Sequence, residues 1–141
     1  MRRKKRKEYP LLENVEITAI AAEGKGLARV ENFVVFVDKA IPGDIIDAKI
    51  IQKKKDYALA EITTLIKPSE KRIPSFCKHF GTCGGCKWQH VDYSYQLTLK
   101  QQVVEDAFRR IGKVELKSIE PILGCEETIY YRNKLEFTFS S

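Results

Sequence analysis

The stretch that decides the fold is EGKGLARVENFVVFVDKAIPGD, residues 23–44. Gly24 and Gly26 mark a turn, after which apolar residues resume. Within NFVVFV the five residues after the asparagine are continuously apolar, as in a strand that is buried on both faces or lines a closed barrel. The sequence IPGD is typical of a tight turn, because proline and glycine suit its backbone angles. This stretch therefore predicts two strands bounded by turns.

Strand patterns continue on both sides of this stretch. VEITAIA (15–21) alternates apolar and polar residues, and IIDAKIIQ (45–52) and YALAEITTLI (57–66) are joined by a short lysine-rich turn. Five short strands with tight turns over about 55 residues are typical of a small closed barrel. We therefore predict a mainly β protein with a five-stranded OB-like barrel in residues 9–68.

The basic residues are concentrated in a short arm before the barrel. The chain has 141 residues and a formal charge of +6. Basic and acidic side chains balance once six neighbouring residues are set aside: Arg2, Arg3, Lys4, Lys5, Arg6 and Lys7. Such an arm (residues 1–8) suits contact with phosphates, because each neutralised phosphate releases counterions. A solvated tail that only aids solubility explains the same pattern equally well.

The composition excludes some classes of protein. Apolar residues make up 43% of the chain, which is enough for a core. No apolar run approaches the roughly 18 residues that cross a membrane, and the basic start is not followed by the apolar stretch of a secretory signal. We therefore expect a cytoplasmic protein, in which cysteines stay reduced and clustered cysteines are metal ligands more often than disulfides.

A cysteine cluster follows a charged linker at residues 69–76. The stretch CKHFGTCGGCKWQH spaces its cysteines as Cys77-x5-Cys83-x2-Cys86. Iron–sulfur clusters take four thiolates, whereas His79 or His90 would complete a Cys3His zinc site. A redox pair would need a thioredoxin-like βαβ context, which the pattern lacks, and three unliganded thiols remain the simplest alternative. Spacing alone does not choose between iron–sulfur and zinc.

The remainder of the chain predicts one helix and one strand. Asp92 can cap a helix that runs to about residue 111, with Gly112 as its stop. One face of this helix collects apolar side chains, namely Leu97, Val104, Phe108 and Ile111. The last residues alternate apolar and polar side chains, which predicts a half-buried strand that needs a sheet to cover it. We therefore expect residues 77–141 to hold the cysteine motif, a helix and the truncated start of an α+β central domain.

The cysteine motif resembles that of the bacterial RNA (uracil-5-)-methyltransferases. Their pattern, Cys-x5-Cys-Gly-Gly-Cys-x2-Gln-His, is matched by Cys77, Cys83, Gly84, Gly85, Cys86, Gln89 and His90. Residues 8–68 are similar to the TRAM domain, a small RNA-binding barrel, and residues 23–44 carry that likeness. YYRNKLEF (130–137) resembles the opening of the family's central domain.

The resemblance implies a cofactor and a chemistry. Members of the family hold a 4Fe–4S cluster with four cysteines, which implies Cys77, Cys83 and Cys86 as three ligands and a fourth beyond residue 141. Cys125 precedes YRNK and does not match the family ligand, so it is a weak candidate. The family transfers a methyl group from S-adenosylmethionine to carbon 5 of uracil, in 23S ribosomal RNA for the type that this chain resembles. No residue here matches the family's nucleophile or cofactor site, so we expect no catalytic residue in this chain.

RNA, ribosomal by resemblance, is the expected partner. Small barrels bind unpaired RNA with stacked aromatic rings and basic edges. Phe33, Phe36 and Tyr57 are the candidate aromatic residues, and Phe33 and Phe36 should face opposite sides of one strand. The candidate basic residues are Lys25, Arg29, Lys53, Lys54, Lys55, Arg132 and Lys134, besides the arm. The alternative function is a stand-alone RNA-binding barrel with a zinc knuckle and no catalysis; an electron-transfer protein is a weaker option.

Overall fold

The computed structural model describes residues 9–131 and contains a six-stranded mixed sheet followed by one α-helix. The strands are β1 (Leu11–Glu16), β2 (Ala19–Ile20), β3 (Gly26–Val30), β4 (Phe33–Asp38), β5 (Ile45–Lys53) and β6 (Tyr57–Lys67). Their order across the sheet is β1-β5-β6-β4-β3-β2. The β4–β6 pair is parallel and the other pairs are antiparallel.

The core lies on one face of the curved sheet, where small and β-branched side chains alternate with outward-facing ones. Val35 and Val37 of β4 and Ala58 and Ala60 of β6 are at most 2% exposed. Further buried residues of the same cluster come from the other strands, namely Val15, Ile17, Ala28, Ala40, Ile46, Ala48 and Ile50. The predicted mainly β, OB-like class is confirmed.

The strand count and the closure of the barrel differ from the prediction. The stretch predicted as one strand is divided into β1 and β2, which makes six strands. The division falls at Ile17 and Thr18, whose amides donate to Asp44 O (2.9 Å) and Leu27 O (3.0 Å). The chain thus pairs with β5 through β1 and, after this division, with β3 through β2. Consequently β1 and β2 form the two edges of the sheet, and within residues 9–131 no ladder joins them.

The helix α1 (Tyr93–Asp106) begins where the sequence predicts. The Asp92 carboxylate accepts a hydrogen bond from Tyr95 N at 3.1 Å, which satisfies a free amide of the first turn. A π-helical turn, Ala107–Gly112, continues α1. The stop differs from the prediction, because Lys113 rather than Gly112 adopts the left-handed conformation, with φ 51°.

The predicted apolar face of the helix is wrong. Leu99 is the buried residue of α1, at 1% exposed. Val104 and Phe108 are about half exposed and Ile111 is 83% exposed. The face toward the rest of the described chain is therefore rotated from the one that the apolar spacing indicates.

No helix within residues 9–131 combines the length and the apolar character that crossing a membrane requires. The basic arm (Arg2 to Lys7), Arg132, Lys134 and the strand predicted near the end of the chain lie outside the described residues.

Candidate nucleic-acid interface and cysteine loop

An aromatic pair lies on the outer face of the sheet, opposite the core. Because side chains alternate along β4, Val35 points into the core and Phe36 points away from it. The Phe36 ring contacts that of Tyr57 edge to face, with centroids 5.6 Å apart and planes at 68°. Tyr57 keeps 36% of its surface exposed. The prediction that Phe33 and Phe36 face opposite sides is confirmed, since Phe33 packs against the core.

The sheet register places one basic residue, Arg29, in the same row across the strands as Tyr57 of the aromatic pair. Arg29 on β3 is opposite Val34, which is opposite Tyr57. Arg29 is exposed. The turn after β5 adds Lys54, whose amide donates to Tyr57 O at 2.8 Å, and the exposed Lys55 beside it. We use "outer face" for the surface formed by Arg29, Phe36, Lys54, Lys55 and Tyr57.

Two predicted RNA-binding lysines lie away from the outer face. The Lys53 ammonium lies over the ring of Phe33, 4.9 Å from its centroid, in a cation–π contact on the core side of the sheet. Lys25 lies in the β2–β3 turn, where its ammonium pairs with Glu23 at 2.9 Å. Lys53 is exposed and Lys25 is half-buried, and neither extends the row that contains the aromatic pair.

A buried carboxylate joins the barrel to the segment before the cysteines. Asp44 is fully buried and accepts backbone hydrogen bonds from Ile41 N (2.8 Å) and Ser69 N (2.9 Å). Its two oxygens also accept from Nε and a terminal nitrogen of Arg72, both at 2.7 Å. Every oxygen of the buried charge is thus hydrogen-bonded, as a buried ion requires. The segment predicted as a linker is therefore held against the barrel.

The same network extends to the cysteine loop. Lys39 O accepts from Arg72 (2.9 Å) and from His90 Nε2 (3.0 Å), and Lys39 Nζ donates to Gly81 O at 2.8 Å. The His90 ring packs against Phe80, with centroids 5.1 Å apart. Burial, and then the charge of Arg72, lower the pKa of His90 below its ordinary value. Since a carbonyl oxygen can only accept, Nε2 of His90 carries a proton and donates it to Lys39 O.

Trp88 forms a second contact between the loop and the barrel. Its indole Nε1 donates to Gly24 O at 3.0 Å, and Lys87 Nζ donates to Glu23 O at 2.9 Å. Gly24 has φ +76°, and a Cβ there would lie 2.8 Å from Trp88 Nε1. Glycine is thus required at this position by its backbone conformation and by the indole that covers it.

Gln89 links two of the cysteines. Its Oε1 accepts from Cys77 N at 3.3 Å, and its Nε2 donates to Cys86 Sγ at 3.2 Å. Cys77 and Cys86 are half-buried, whereas Cys83 is exposed and its amide donates to His79 O at 3.2 Å. The structure therefore brings Cys77 and Cys86 to one side chain and leaves the Cys83 thiol at the surface.

The donor chemistry of this loop suits a thiophilic metal centre, because it offers three thiols and an amide N–H directed at one sulfur. Within residues 9–131, however, no three His, Cys, Asp or Glu side chains are gathered into a group that could hold a metal ion. Cys125 lies in a different environment, since its amide donates to Tyr93 OH at 2.7 Å and its thiol contacts Glu127 O at 3.0 Å.

Sequence reasoning missed the residues that position the loop. The sequence indicates Asp44 only as part of a turn, and Arg72 only as a charge in a linker. An aspartate beside the apolar turn residues Ile41 and Pro42 is the signal that was available, although its partner 28 residues away is not visible in any local pattern. Gln89 belonged to the family pattern, but its contact with sulfur needed the structure.

These contacts define a small OB-like β domain that carries a cysteine-rich loop on its surface. Residues 12–63 match the TRAM domain family and form a TRAM domain. Over nine tenths of its length the chain is similar to the N-terminal part of proteins described as uncharacterized RNA methyltransferases.

Two such relatives show the extent of the match. The chain is 50% identical over 127 residues to one from Porphyromonas gingivalis, which covers 90% of this chain and 27% of that protein. It is 53% identical over 122 residues to one from Bacteroides thetaiotaomicron, covering 86% of this chain and 27% of that protein. The chain thus spans about 27% of the length of these relatives.

Proposed function

We propose that this chain is the RNA-binding front part of an S-adenosylmethionine-dependent RNA (uracil-5-)-methyltransferase acting on 23S ribosomal RNA. In this proposal the TRAM barrel binds unpaired RNA and the cysteine loop holds a 4Fe–4S cluster. The match to RNA methyltransferases over nine tenths of the chain supports the assignment to this enzyme class. The cysteine pattern of residues 77–90 supports the uracil-5 specificity and the cluster.

The observation that carries RNA binding is the outer face of the TRAM domain. An edge-to-face aromatic pair with an exposed ring offers a stacking surface for a base, whatever its sequence. Arg29 in the same row and the lysines after β5 supply positive charge for the adjoining phosphates. Stacking surface and cations together favour unpaired RNA, because the bases of a duplex are already stacked on each other.

The cysteine loop has a structural role in this proposal. Cys77, Cys83 and Cys86 would hold the cluster, which would fix the loop by tying its thiolates to one inorganic centre. Gln89 donates an N–H to Cys86 Sγ, and such a hydrogen bond stabilises negative charge on a thiolate. The Asp44 network and Trp88 hold the loop against the barrel, so the RNA-binding surface and the loop keep one relative position.

The methyl transfer itself is assigned to the part of the enzyme that this chain does not contain. The family reaction needs a cysteine thiolate that adds to carbon 6 of uracil and a base that later removes the carbon-5 proton. None of the four cysteines matches that nucleophile. We therefore expect no methylated product when this chain alone is mixed with S-adenosylmethionine and uracil-containing RNA.

The RNA-binding proposal is tested by substitution on the outer face. Tyr57→Ala removes the exposed ring and should weaken binding to a short oligouridylate by roughly 5- to 140-fold, the range given by stacking energies of about 1–3 kcal/mol per base. Ile66→Ala is the matched control, since Ile66 is an exposed apolar residue at the far end of the same strand. Fluorescence anisotropy of labelled RNA measures both affinities. Equal affinities for the two variants and the unsubstituted chain would exclude the outer face.

The cluster is tested by metal analysis after purification without oxygen. Iron and sulfide in a brown protein support the proposal, whereas stoichiometric zinc in a colourless protein supports the zinc knuckle. Cys83→Ser should lose the metal, and Cys125→Ser should retain it. Loss of metal in Cys125→Ser would make that residue a ligand, and retention in Cys83→Ser would exclude Cys83.

A further inference from the structure

A cleft of about 440 Å³ lies where the β2–β3 turn, the cysteine loop and α1 meet. Its volume falls in the roughly 300–1,000 Å³ range of small-molecule sites. Ala22 and Gly24 form its barrel side, Trp88 its loop side, and Val103 and Val104 its helix side. The walls are mainly apolar, and no single segment of the chain builds them. The cleft therefore exists only because the loop is held against the barrel.

Lysines supply the charge around this cleft. Lys87 and Lys100 line it, and Lys25 lies in the adjoining turn. Among the described residues that line the cleft, Glu23 is the only carboxylate, and it is paired with Lys25 at 2.9 Å, so its charge is already compensated. Lys100 is exposed and its side chain makes no ion pair within residues 9–131. A ligand with a flat apolar body and a negative group matches both parts of the site.

We infer that this cleft receives one unpaired nucleobase of a bound RNA, with the adjoining phosphate on Lys100. The inference rests on the proposed RNA-binding function and adds a second contact site to it, built by residues other than Phe36 and Tyr57. An apolar side chain of a polypeptide would fill the cavity but leave Lys100 without an ionic partner, because Lys25 and Lys87 already contact Glu23. A base with its phosphate satisfies both, because every base has an apolar face and every nucleotide one negative charge.

The site carries its own reporter, because Trp88 is the single tryptophan of the chain. The full chain is titrated with a short unstructured oligouridylate while Trp88 fluorescence is followed, and anisotropy of the labelled RNA is measured in parallel. Stacking or close approach of a base should quench the indole in proportion to RNA binding. The bound RNA should also protect Trp88 from quenching by acrylamide.

Two substitutions test the cleft without touching Trp88. Ala22→Leu fills the cavity from an exposed position and should lower RNA affinity by roughly 5- to 140-fold, the loss of one stacked base. Lys100→Gln should reduce the slope of log affinity against log salt by about 0.7, the loss of one phosphate contact on a single strand. Ala107→Leu and Lys117→Gln are the controls, since both residues are exposed elsewhere and should change neither quantity.

The outcomes separate this inference from the proposed function. One outcome overturns the cleft and leaves the proposed function standing. In that outcome Tyr57→Ala weakens RNA binding, but RNA changes neither the fluorescence of Trp88 nor its access to acrylamide, and the two cleft variants bind RNA like the unsubstituted chain. Absence of any RNA binding overturns both. Quenching that persists at saturating RNA in Tyr57→Ala supports the cleft as a separate contact site. If Ala22→Leu fails to fold, the exposed Lys100→Gln still decides the result.

Discussion

The substitution Asp44→Ala tests whether the buried carboxylate holds the loop to the barrel. Asp44 is fully buried and accepts four hydrogen bonds, two of them from the Arg72 guanidinium at 2.7 Å. Removing one partner of a buried pair costs about 3–5 kcal/mol, because the other charge stays buried and unpaired. Arg72 keeps 18% of its side chain exposed, so water partly solvates it and the low end, about 3 kcal/mol, is expected.

Urea unfolding followed by far-UV circular dichroism measures this loss. With an m value of about 2 kcal/mol per molar urea, a loss of about 3 kcal/mol lowers the midpoint by roughly 1.5 M. Asp38→Ala is the matched control, because Asp38 is an exposed aspartate on β4 and should stay within about 0.5 kcal/mol. Hydrogen exchange at Ile73 N, which donates to His90 O, should accelerate in Asp44→Ala. A loss below about 1 kcal/mol with unchanged exchange at Ile73 would refute this role of Asp44.

Three further predictions concern pH, backbone conformation and the basic arm. Burial lowers the pKa of His90, so the unfolded chain binds the proton more readily than the folded chain. The free energy of unfolding should therefore fall as the pH drops below about 6.5. Thermal unfolding at several pH values measures this dependence, and His90→Gln should reduce it. Gly24→Ala should cost at least about 1–2 kcal/mol, because alanine is strained at φ +76° and its Cβ meets Trp88; an unchanged unfolding midpoint would argue against this packing. Deleting residues 1–7 should weaken RNA binding and reduce the slope of log affinity against log salt by up to about 4, at roughly 0.7 per lost phosphate contact. An unchanged slope would exclude the arm as an RNA-binding element.

The sequence predicts the β class because period-two alternation and glycine-containing turns are local features. The division of the first strand was not predictable in this way, since it depends on hydrogen bonds from Ile17 N to Asp44 O and from Thr18 N to Leu27 O, and both acceptors lie beyond the strand's own pattern. The helix start was predictable because Asp92 caps its own next turn. Its buried face was not, because Leu99 is chosen by what packs against the helix rather than by apolar spacing.

The candidate site divides in the same way. Alternation along β4 predicts that Phe33 and Phe36 face opposite sides, and the structure confirms it. The edge-to-face contact of Phe36 with Tyr57 depends on the parallel pairing of β4 with β6, which no local pattern shows. The cysteine motif was visible in the sequence, whereas the contact of Gln89 with Cys86 sulfur was not. The cluster and its ligand set both stay predictions.

Mapping RNA contacts on the chain by backbone NMR tests most directly whether the TRAM domain binds unpaired RNA through its outer face. The amides of the chain are followed while an unstructured oligouridylate is added, with a fully paired RNA duplex as the comparison. We predict the largest shift changes at Arg29, Phe36, Lys54 and Tyr57, and weaker changes with the duplex. Shift changes confined to the opposite side of the sheet, or none at saturating oligouridylate, would contradict this function.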